Sequence, residues 1–245
     1  MKLRIVAASI TAALALSTLP LVGAGTASAA EPPPIPKDVP LTYMDRGDSV
    51  RLAQKRLVWL GYEIRKQEIE RESFGRETRL AVKKFQRKFF LAMTKRINKG
   101  TWNKLQEVGN RVGKLPKACL SEQKVICIDK TSKVLRFVRD GKVVQTLDVR
   151  FGVPGLETPT GTYRVYYKDR YATSGINGPN APRVPMPYAL FFNGDIAVHY
   201  SSTFAASGYY PGGGSHGCVN VADLDGVAKL FDRAPVGIRV HVYWG

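Results

Sequence analysis

The chain has 245 residues, a formal net charge of +17, 44% hydrophobic residues and 10% aromatic residues. This hydrophobic content can fill ordinary cores, which excludes a chain that is disordered throughout, and the length indicates one or two domains. Three cysteines exclude a disulfide-rich miniprotein and a four-thiolate zinc site. In an oxidising compartment they leave one thiol over.

The first thirty residues have the pattern of a secretory signal peptide. Two basic residues precede an apolar run over 5–22, and the small-residue sequence Ala-Ser-Ala follows at 27–29. We therefore expect residues 1–30 to be removed on export, which leaves no stable membrane span. The alternative is an uncleaved anchor, because about 18 apolar residues lie at the lower limit for crossing a bilayer. Residues 31–42 are rich in proline and predict an extended linker.

Residues 43–114 show apolar side chains at helical spacing. The pattern predicts one helix through Val50 and Leu60, a second from Arg76 to Phe90, and a third that starts at Thr101. We assign the aromatic residues of this segment to its core.

The order of several short elements in this segment resembles the small three-helix peptidoglycan-binding domain found beside many cell-wall enzymes. The charged stretch Glu63–Glu72 departs from the short loop expected there, and we assign no single glycan-binding residue. The matching elements are Arg46-Gly47-Asp48-Ser49-Val50-Arg51, Leu60-Gly61-Tyr62, Phe74-Gly75 with Thr78, Ala81-Val82, Phe85-Gln86, and Gly100-Thr101-Trp102 with Leu105.

The positive charge is concentrated in the first half of the chain. Residues 31–115 carry a net charge of +10, whereas residues 116–245 carry +5. A basic surface attracts polyanions, and for an exported protein these are wall polymers and anionic lipids. A solvated basic face is the alternative. No signature of a nucleic-acid-binding fold is present, so we expect no nucleic acid partner.

From residue 120 the pattern changes to short β-branched runs, which predict a mainly β domain over 120–245. Asp140-Gly141 and Asn193-Gly194 are strong hairpin signals. Only Leu224–Phe231 looks helical, with Asp223 as its N-cap. The predicted strands cover 125–128, 134–138, 143–149, 161–167, 188–192, 196–200 and 237–243. The predicted fold class is therefore two domains, α+β overall.

The sharpest chemical signal is the segment from Gly212 to Asn220. Cys218 follows His216 by two residues, and three glycines lead into the pair, which indicates a tightly turned backbone that presents a thiol with free N–H groups. Thiolate chemistry needs a lowered pKa, which a neighbouring histidine can supply. A second histidine, His199, lies upstream at the end of a predicted strand.

Together with Thr158–Tyr163, these residues resemble the L,D-transpeptidase catalytic domain. The resemblance implies that Cys218 is the nucleophile, that His199 is its general base, and that the backbone carbonyl of Tyr200 orients the histidine ring. It covers about 125 residues of the chain.

The same resemblance assigns the rest of the motif. Ser215 and His216 shape the pocket and the oxyanion region, and the backbone N–H groups of Gly217 and Cys218 stabilise the oxyanion. Asn220 occupies a position where family members have Arg or Asn. No metal or organic cofactor is implied.

Other roles for these residues stay open at this stage. Cys218 could be a structural thiol or half of a disulfide, and His199 could be a core histidine. His216 could act as the base, because a separation of two residues also permits contact. A zinc site from His199, His216 and Cys218 is conceivable by ligand type, but it would block the nucleophile. His241 lies outside the motif, and we interpret it as structural.

The other two cysteines, Cys119 and Cys127, are eight residues apart with a predicted turn between them. This spacing could bring their Cα atoms within reach of a disulfide, which would leave Cys218 free.

The predicted function is acyl transfer on peptidoglycan stem peptides by an exported, wall-associated bacterial monomer, with formation of 3→3 cross-links. A carboxypeptidase with water as acceptor and a non-catalytic wall-binding protein are alternatives. A sortase is disfavoured because its T-L-x-T-C signature is absent. An exported cell-wall endopeptidase is disfavoured because its cysteine usually precedes its histidine in the chain.

Overall fold

The computed structural model describes residues 35–176, 178 and 180–245. The predicted signal peptide and the start of the predicted linker lie outside these residues. A helical part precedes a mainly β part, so the predicted α+β fold class is confirmed. In the described part of the chain, every helix falls short of the length and hydropathy needed to cross a bilayer.

The three long helices of the first part lie where the apolar spacing predicts them. Trp102, Phe74 and Phe85 are fully buried in the core that these helices enclose. A fourth, short helix lies within the charged stretch 63–72. The helices are α1 (Asp48–Trp59), α2 (Lys66–Glu70), α3 (Arg76–Lys88) and α4 (Lys99–Gly109).

The short helix α2 places a carboxylate at the start of α3. Glu68 accepts hydrogen bonds from the backbone N–H groups of Glu77 at 2.8 Å and Thr78 at 2.9 Å. The N-cap residue of α3 is Gly75, which has no side chain to accept these bonds. Glu68 therefore satisfies N–H groups that would otherwise lack a partner and complements the helix dipole, which stabilises α3 by about 1 kcal/mol.

The end of the predicted linker packs onto the helical core. Leu41 is 1% exposed and forms two backbone hydrogen bonds with Ile97, at 3.0 and 2.9 Å. Ile35 and Val39 also lie against this core.

Nine strands of the described residues form one sheet. In the order in which they pair, they are β4 (Gly161–Arg164), β11 (Arg239–Tyr243), β1 (Lys124–Asp129), β2 (Val134–Arg139), β3 (Lys142–Arg150), β10 (Val219–Val221), β9 (Ile196–Tyr200), β8 (Ala189–Asn193) and β5 (Tyr167–Asp169). The edge strands β4 and β5 are separated by only two residues of chain, Val165 and Tyr166. The sheet must therefore curl until its edges approach each other. Two further short strands, β6 (Thr173–Ser174) and β7 (Val184–Pro185), pair separately.

Both predicted hairpins are confirmed, at Asp140-Gly141 between β2 and β3 and at Asn193-Gly194 between β8 and β9. The prediction of one continuous strand over 161–167 was wrong. The N–H of Val165 donates to Ile238 and that of Tyr166 donates to Phe191, so the chain passes between opposite edges of the sheet at this point.

The β part contains more helix than the sequence predicted. Helix α6 (Leu224–Arg233) is confirmed, and its N-cap Asp223 accepts from the Gly226 N–H at 2.9 Å. The prediction that only this segment is helical was wrong, because α5 (Ser202–Ser207) follows β9. Ser201 caps α5 by accepting from the Phe204 N–H at 3.2 Å, and a serine at this position is a sequence signal for the start of a helix.

The predicted disulfide is present at the start of the β part. Cys119 and Cys127 are bonded, with their Cα atoms 5.8 Å apart, and both are fully buried. Cys218 is the free cysteine of the described residues.

A buried lysine joins the helical part to the sheet. Lys88, at the end of α3, is 1% exposed. Its Nζ donates to the carbonyl of Lys133 at 2.9 Å and forms an ion pair with Asp148 of β3. The ring of Tyr209 lies 5.8 Å from the same nitrogen. Nearby, Arg87 donates to the carbonyl of Ser207 at the end of α5, so two residues of α3 hold this side of the β part.

Candidate active site

Parallel pairing of β9 and β10 places Cys218 and His199 on one face of the sheet. Asn220 lies opposite His199 in the register, and Cys218 precedes Asn220 by two residues. Because side chains alternate along a strand, Cys218, Asn220 and His199 share a face. Val198 and Val219 point the other way, into the main core.

The Cys218 thiol is half-buried and neutral in this arrangement. It donates to the backbone carbonyl of Asp195 across 3.7 Å. Burial raises the pKa of the Cys218 thiol above its ordinary value, a backbone hydrogen bond from Ala197 opposes this shift, and the Asp195 carboxylate adds to it. The thiol therefore keeps its proton at neutral pH.

The His199 ring is buried, neutral and held at both nitrogens. Nδ1 lies 2.7 Å from the carbonyl oxygen of Tyr200, and Nε2 lies 3.0 Å from Nδ2 of Asn220. A carbonyl can only accept, so Nδ1 carries the proton and Nε2 presents its lone pair. Burial lowers the pKa of His199 to about 4, although the Tyr200 carbonyl opposes the shift. The ring is thus a free base with its acceptor atom on the face that it shares with the thiol.

A third residue in the same row, Arg150, completes a hydrogen-bonded chain. Arg150 of β3 pairs with Asn220 of β10, which pairs with His199 of β9. Arg150 Nη2 donates to the Asn220 Oδ1 at 3.3 Å. With its oxygen facing the guanidinium, Asn220 must turn its N–H toward the histidine. Arg150 is not among the residues predicted from the sequence, because no local signal marks it.

Ser215 and Thr158 hold the backbone just before Cys218. Ser215 Oγ donates to the Cys218 carbonyl at 2.6 Å and accepts from the Gly217 N–H at 3.2 Å. Thr158 Oγ1 donates to the Gly217 carbonyl at 2.8 Å and accepts from the Gly152 N–H at 3.2 Å. The Gly217 N–H, which we assigned to the oxyanion, is therefore engaged by Ser215 in this structure. Thr158 links the backbone of Gly152 to that of Gly217, and its position in the Thr-Pro motif could have indicated this role.

The loop after β3 approaches this segment so closely that Gly152 tolerates no side chain. A Cβ built on Gly152 would lie 1.9 Å from the Leu156 carbonyl oxygen and 2.9 Å from the Gly217 nitrogen. Ser215 also exchanges backbone hydrogen bonds with Phe151 and Val153, both at 3.0 Å. The segment before Cys218 is thus fixed at several points by the loop that follows β3.

The two candidate bases, His199 and His216, have different surroundings. The His216 side chain is exposed, and it makes no hydrogen bond to any other described residue. His199 shares its face with Cys218, although no hydrogen bond joins the two in the described structure. His241 lies on β11, outside the site, and its Nδ1 is hydrogen-bonded to the Thr162 hydroxyl at 2.9 Å. Over residues 35–176, 178 and 180–245, no three His, Cys, Asp or Glu side chains group to hold a metal ion.

Comparison with protein families gives two matches. Residues 123–242 match the model of the "L,D-transpeptidase catalytic domain", and residues 46–105 match that of the "Putative peptidoglycan binding domain". No curated protein matches the chain.

Comparison with solved structures finds several L,D-transpeptidases. The enzyme from Stackebrandtia nassauensis is 26% identical over 83% of this chain and 96% of its own, with a TM-score of 0.52. Another, from Xylanimonas cellulosilytica, is 28% identical over 86% of this chain and 100% of its own, with a TM-score of 0.47.

A third, from Mycobacterium smegmatis, is 22% identical with a TM-score of 0.44, and the alignment covers 49% of this chain and 58% of that one. The two family matches and the similarity to the Stackebrandtia enzyme agree with the order of a helical part and a mainly β part. The chain therefore contains an L,D-transpeptidase catalytic domain, which is the domain of an enzyme, over residues 123–242, and a peptidoglycan-binding domain ahead of it over residues 46–105.

Proposed function

We propose that this chain is an exported enzyme that transfers acyl groups between peptidoglycan stem peptides through a Cys218 thioester and forms 3→3 cross-links. The observation that carries the proposal is the shared face of Cys218 and His199, since it puts a thiol on the same side of the sheet as a neutral base whose Nε2 accepts from the Asn220 side chain. The peptidoglycan-binding domain supports the substrate class. The signal-like pattern at 1–30 supports export.

The first half-reaction joins the thiol to the substrate. The Cys218 side chain turns from the Asp195 carbonyl toward Nε2 of His199, displacing the N–H of Asn220. The sulfur attacks the carbonyl of the third, L-centred residue of a stem peptide while its proton passes to Nε2. Because the thiol pKa is raised and the histidine pKa is lowered, this proton transfer accompanies the attack rather than preceding it.

Backbone N–H groups near Cys218 stabilise the oxyanion that forms, an effect of about 3 kcal/mol per donor. The hydrogen bonds from Ser215 and Thr158 fix the turn that carries these groups. The tetrahedral intermediate then collapses, and the C–N bond to the terminal D-amino acid breaks. His199 returns its proton to the leaving amine, which leaves a thioester on Cys218.

The second half-reaction transfers the acyl group. The side-chain amine of a second stem peptide attacks the thioester, His199 takes its proton, and the thiol leaves with the proton restored. Water in place of the amine would give a carboxypeptidase. The hydrogen bond from His199 Nδ1 to the Tyr200 carbonyl keeps Nε2 as the proton carrier in both steps.

The test compares the two histidines that the sequence left as alternatives. Wild-type protein, His199→Gln and His216→Gln are mixed with a carbapenem, and the rate of acylation is followed by intact-protein mass spectrometry. We expect one adduct on Cys218, a loss of 100-fold or more in His199→Gln, and a change of only a few fold in His216→Gln.

The same proteins are then incubated with disaccharide tetrapeptides, and the products are separated by chromatography. Cross-linked dimers support the transpeptidase, whereas tripeptides alone support the carboxypeptidase. A Cys218→Ala variant that still makes dimers contradicts the proposal. Absence of any thiol adduct on the wild-type protein favours a non-catalytic wall-binding protein.

A further inference from the structure

A cavity of about 300 Å³ lies where the helical part meets the sheet, and we call it the junction cavity. Phe90 lines it from the segment that follows α3, and Trp244 lines it from near the C-terminus. The remaining walls are residues 130, 133, 150–154, 157 and 209–213. Neither Cys218 nor His199 lines it, and Arg150, which does, lies in the same row of side chains as His199.

Three cations line the junction cavity against a single carboxylate. Lys130, Lys133 and Arg150 face one acidic residue, Glu157. None of the three cations forms an ion pair with a carboxylate of the described residues. Lys130 donates to the Thr158 carbonyl, but a carbonyl carries no net charge, so the positive charge of Lys130 is not neutralised by that contact. The cavity therefore favours an anionic ligand.

The most buried of these cations, Arg150, has hydrogen-bond donors without a partner among the described residues. Arg150 is 5% exposed, and although Nη2 donates to Asn220 and Thr203, its Nε and Nη1 have no hydrogen-bond partner among the described residues. Its guanidinium lies 4.9 Å from the Phe204 ring and 5.7 Å from the Tyr210 ring. A buried cation with unpaired donors is costly, and an anion in the adjoining cavity reduces that cost.

Exposed aromatic rings surround the charges. Trp244 is 65% exposed, Phe90 is 55% exposed and Tyr210 is 45% exposed. The Nζ of Lys130 lies 4.6 Å from the Trp244 ring, and that of Lys133 lies 5.3 Å from the Phe90 ring. Clustered apolar rings with a few convergent polar groups are typical of a ligand site. Their flat faces fit the C–H face of a sugar, while the cations fit carboxylates.

The wall of the junction cavity is bonded to the segment before Cys218. Phe151 and Gly152 line the cavity, Phe151 accepts from the Ser215 N–H, and Gly152 is bridged to Ser215. Arg150 also contacts Asn220, which in turn contacts His199. A ligand here lies next to the active site without entering it.

We propose that the junction cavity binds an aminosugar that carries a peptide with free carboxylates, as part of a peptidoglycan strand held beside the active site. The rings contact the sugar, and Lys130, Lys133 and Arg150 face the carboxylates. The choice of ligand rests on the proposed function. The charge and the rings identify the site independently of it.

The experiment measures binding by isothermal titration calorimetry with the full chain carrying Cys218→Ala, so that no turnover occurs. The probes are a disaccharide tetrapeptide with free carboxylates, the same compound with its carboxylates amidated, and inorganic polyphosphate. In this background, Trp244→Ala removes an exposed ring of the cavity. Tyr171→Ala is the matched control, because Tyr171 is 83% exposed and outside the cavity.

We expect Trp244→Ala to weaken binding of the free-carboxylate probe at least tenfold and Tyr171→Ala to change it less than twofold. Amidation of the probe should weaken binding at least fivefold, and 0.5 M salt should do the same. Equal affinity for Trp244→Ala and Tyr171→Ala overturns the proposal. Tighter binding of polyphosphate than of the free-carboxylate probe also overturns it, in favour of a phosphate-bearing wall polymer.

Carbapenem acylation of the wild-type protein separates failure of this proposal from failure of the proposed function. Acylation with no effect of Trp244→Ala on binding contradicts only the junction cavity. Absence of acylation with selective binding contradicts only the catalytic proposal. Circular dichroism of each variant confirms that it is folded before binding is compared.

Discussion

Asn220 donates a hydrogen bond from Nδ2 to Nε2 of His199 across 3.0 Å. This contact occupies the ring nitrogen that we assign to proton transfer. The amide oxygen of Asn220 faces Arg150, so the direction of the amide is set by both neighbours. The His199 ring is therefore oriented and neutral, and in the proposed mechanism the Cys218 thiol must compete with Asn220 for its lone pair.

An Asn220→Asp variant tests this relationship. A carboxylate beside Nε2 favours the imidazolium, so we expect the pKa of His199 to rise from about 4 by at least one unit. The shift is limited because Arg150 shares the new carboxylate. Titration of the ring signals by NMR gives the pKa directly.

Asn110→Asp, at the end of α4, introduces the same charge in the helical part and serves as the control. We expect it to leave the His199 titration unchanged. A His199 pKa that does not move in Asn220→Asp would show that the two side chains are not in contact in solution.

The raised pKa of Cys218 predicts slow alkylation at neutral pH. Each unit by which the pKa is raised lowers the thiolate fraction about tenfold, so iodoacetamide should modify Cys218 more slowly than free cysteine at pH 7. The rate should still be rising above pH 9. Mass spectrometry of samples quenched over time gives the rate, and Cys218→Ala should take up no label because Cys119 and Cys127 are bonded to each other. A rate that stays constant between pH 5 and 8 would instead indicate a preformed thiolate–imidazolium pair.

The sequence marks the candidate reactive residues of this site more clearly than the architecture around them. Cys218 and His199 stand out because their residue types and spacing carry the family motif. Arg150 could not be found in the same way, because its position beside Asn220 depends on the register of β3 against β10. Helix α5 is only six residues long, which is too short for a periodic pattern to predict it. The break after β4 is caused by the curl of the whole sheet, which no local pattern in the sequence encodes.

Burial of neutral His199 also predicts a loss of stability in acid. The unfolded chain binds a proton at this residue below about pH 6.5, whereas the folded protein excludes it down to about pH 4. The contribution of His199 to the free energy of unfolding is therefore fully present above pH 6.5. It declines by about 3 kcal/mol in all as the pH falls to about 4. Urea unfolding of wild-type protein and His199→Gln at pH 7.0 and pH 4.5 isolates the contribution, because carboxylates contribute equally to both proteins.

We expect the wild-type protein to lose more stability than His199→Gln between these two pH values. His241→Gln is the matched control, since His241 lies on β11 away from the site. An equal loss in wild-type protein and His199→Gln would contradict a buried, neutral His199.

Lys88 should stabilise the contact between the helical part and the sheet. Its Nζ is fully buried and donates to the Lys133 carbonyl and to Asp148, so Lys88→Ala leaves a cavity and removes both bonds, while the Lys133 carbonyl keeps its bond from the Val149 N–H. Asp148 is 45% exposed and can be rehydrated, which limits the cost of breaking the ion pair. We expect a loss of about 3 kcal/mol for Lys88→Ala and about 1 kcal/mol for Lys88→Met, which keeps the apolar stem in place.

Urea unfolding measures both variants, and Lys84→Ala, an exposed lysine on the same helix, controls for the loss of charge and of helix propensity. Because Lys88 contacts residues of both parts, its removal should also separate their unfolding. Tryptophan fluorescence and the near-ultraviolet dichroism of the tyrosines are then expected to give different midpoints in Lys88→Ala and one midpoint in Lys84→Ala. Substitutions at exposed sites usually change the free energy of unfolding by less than about 0.5 kcal/mol. If Lys88→Ala and Lys84→Ala differ by less than this amount, the ion pair does not hold the two parts together.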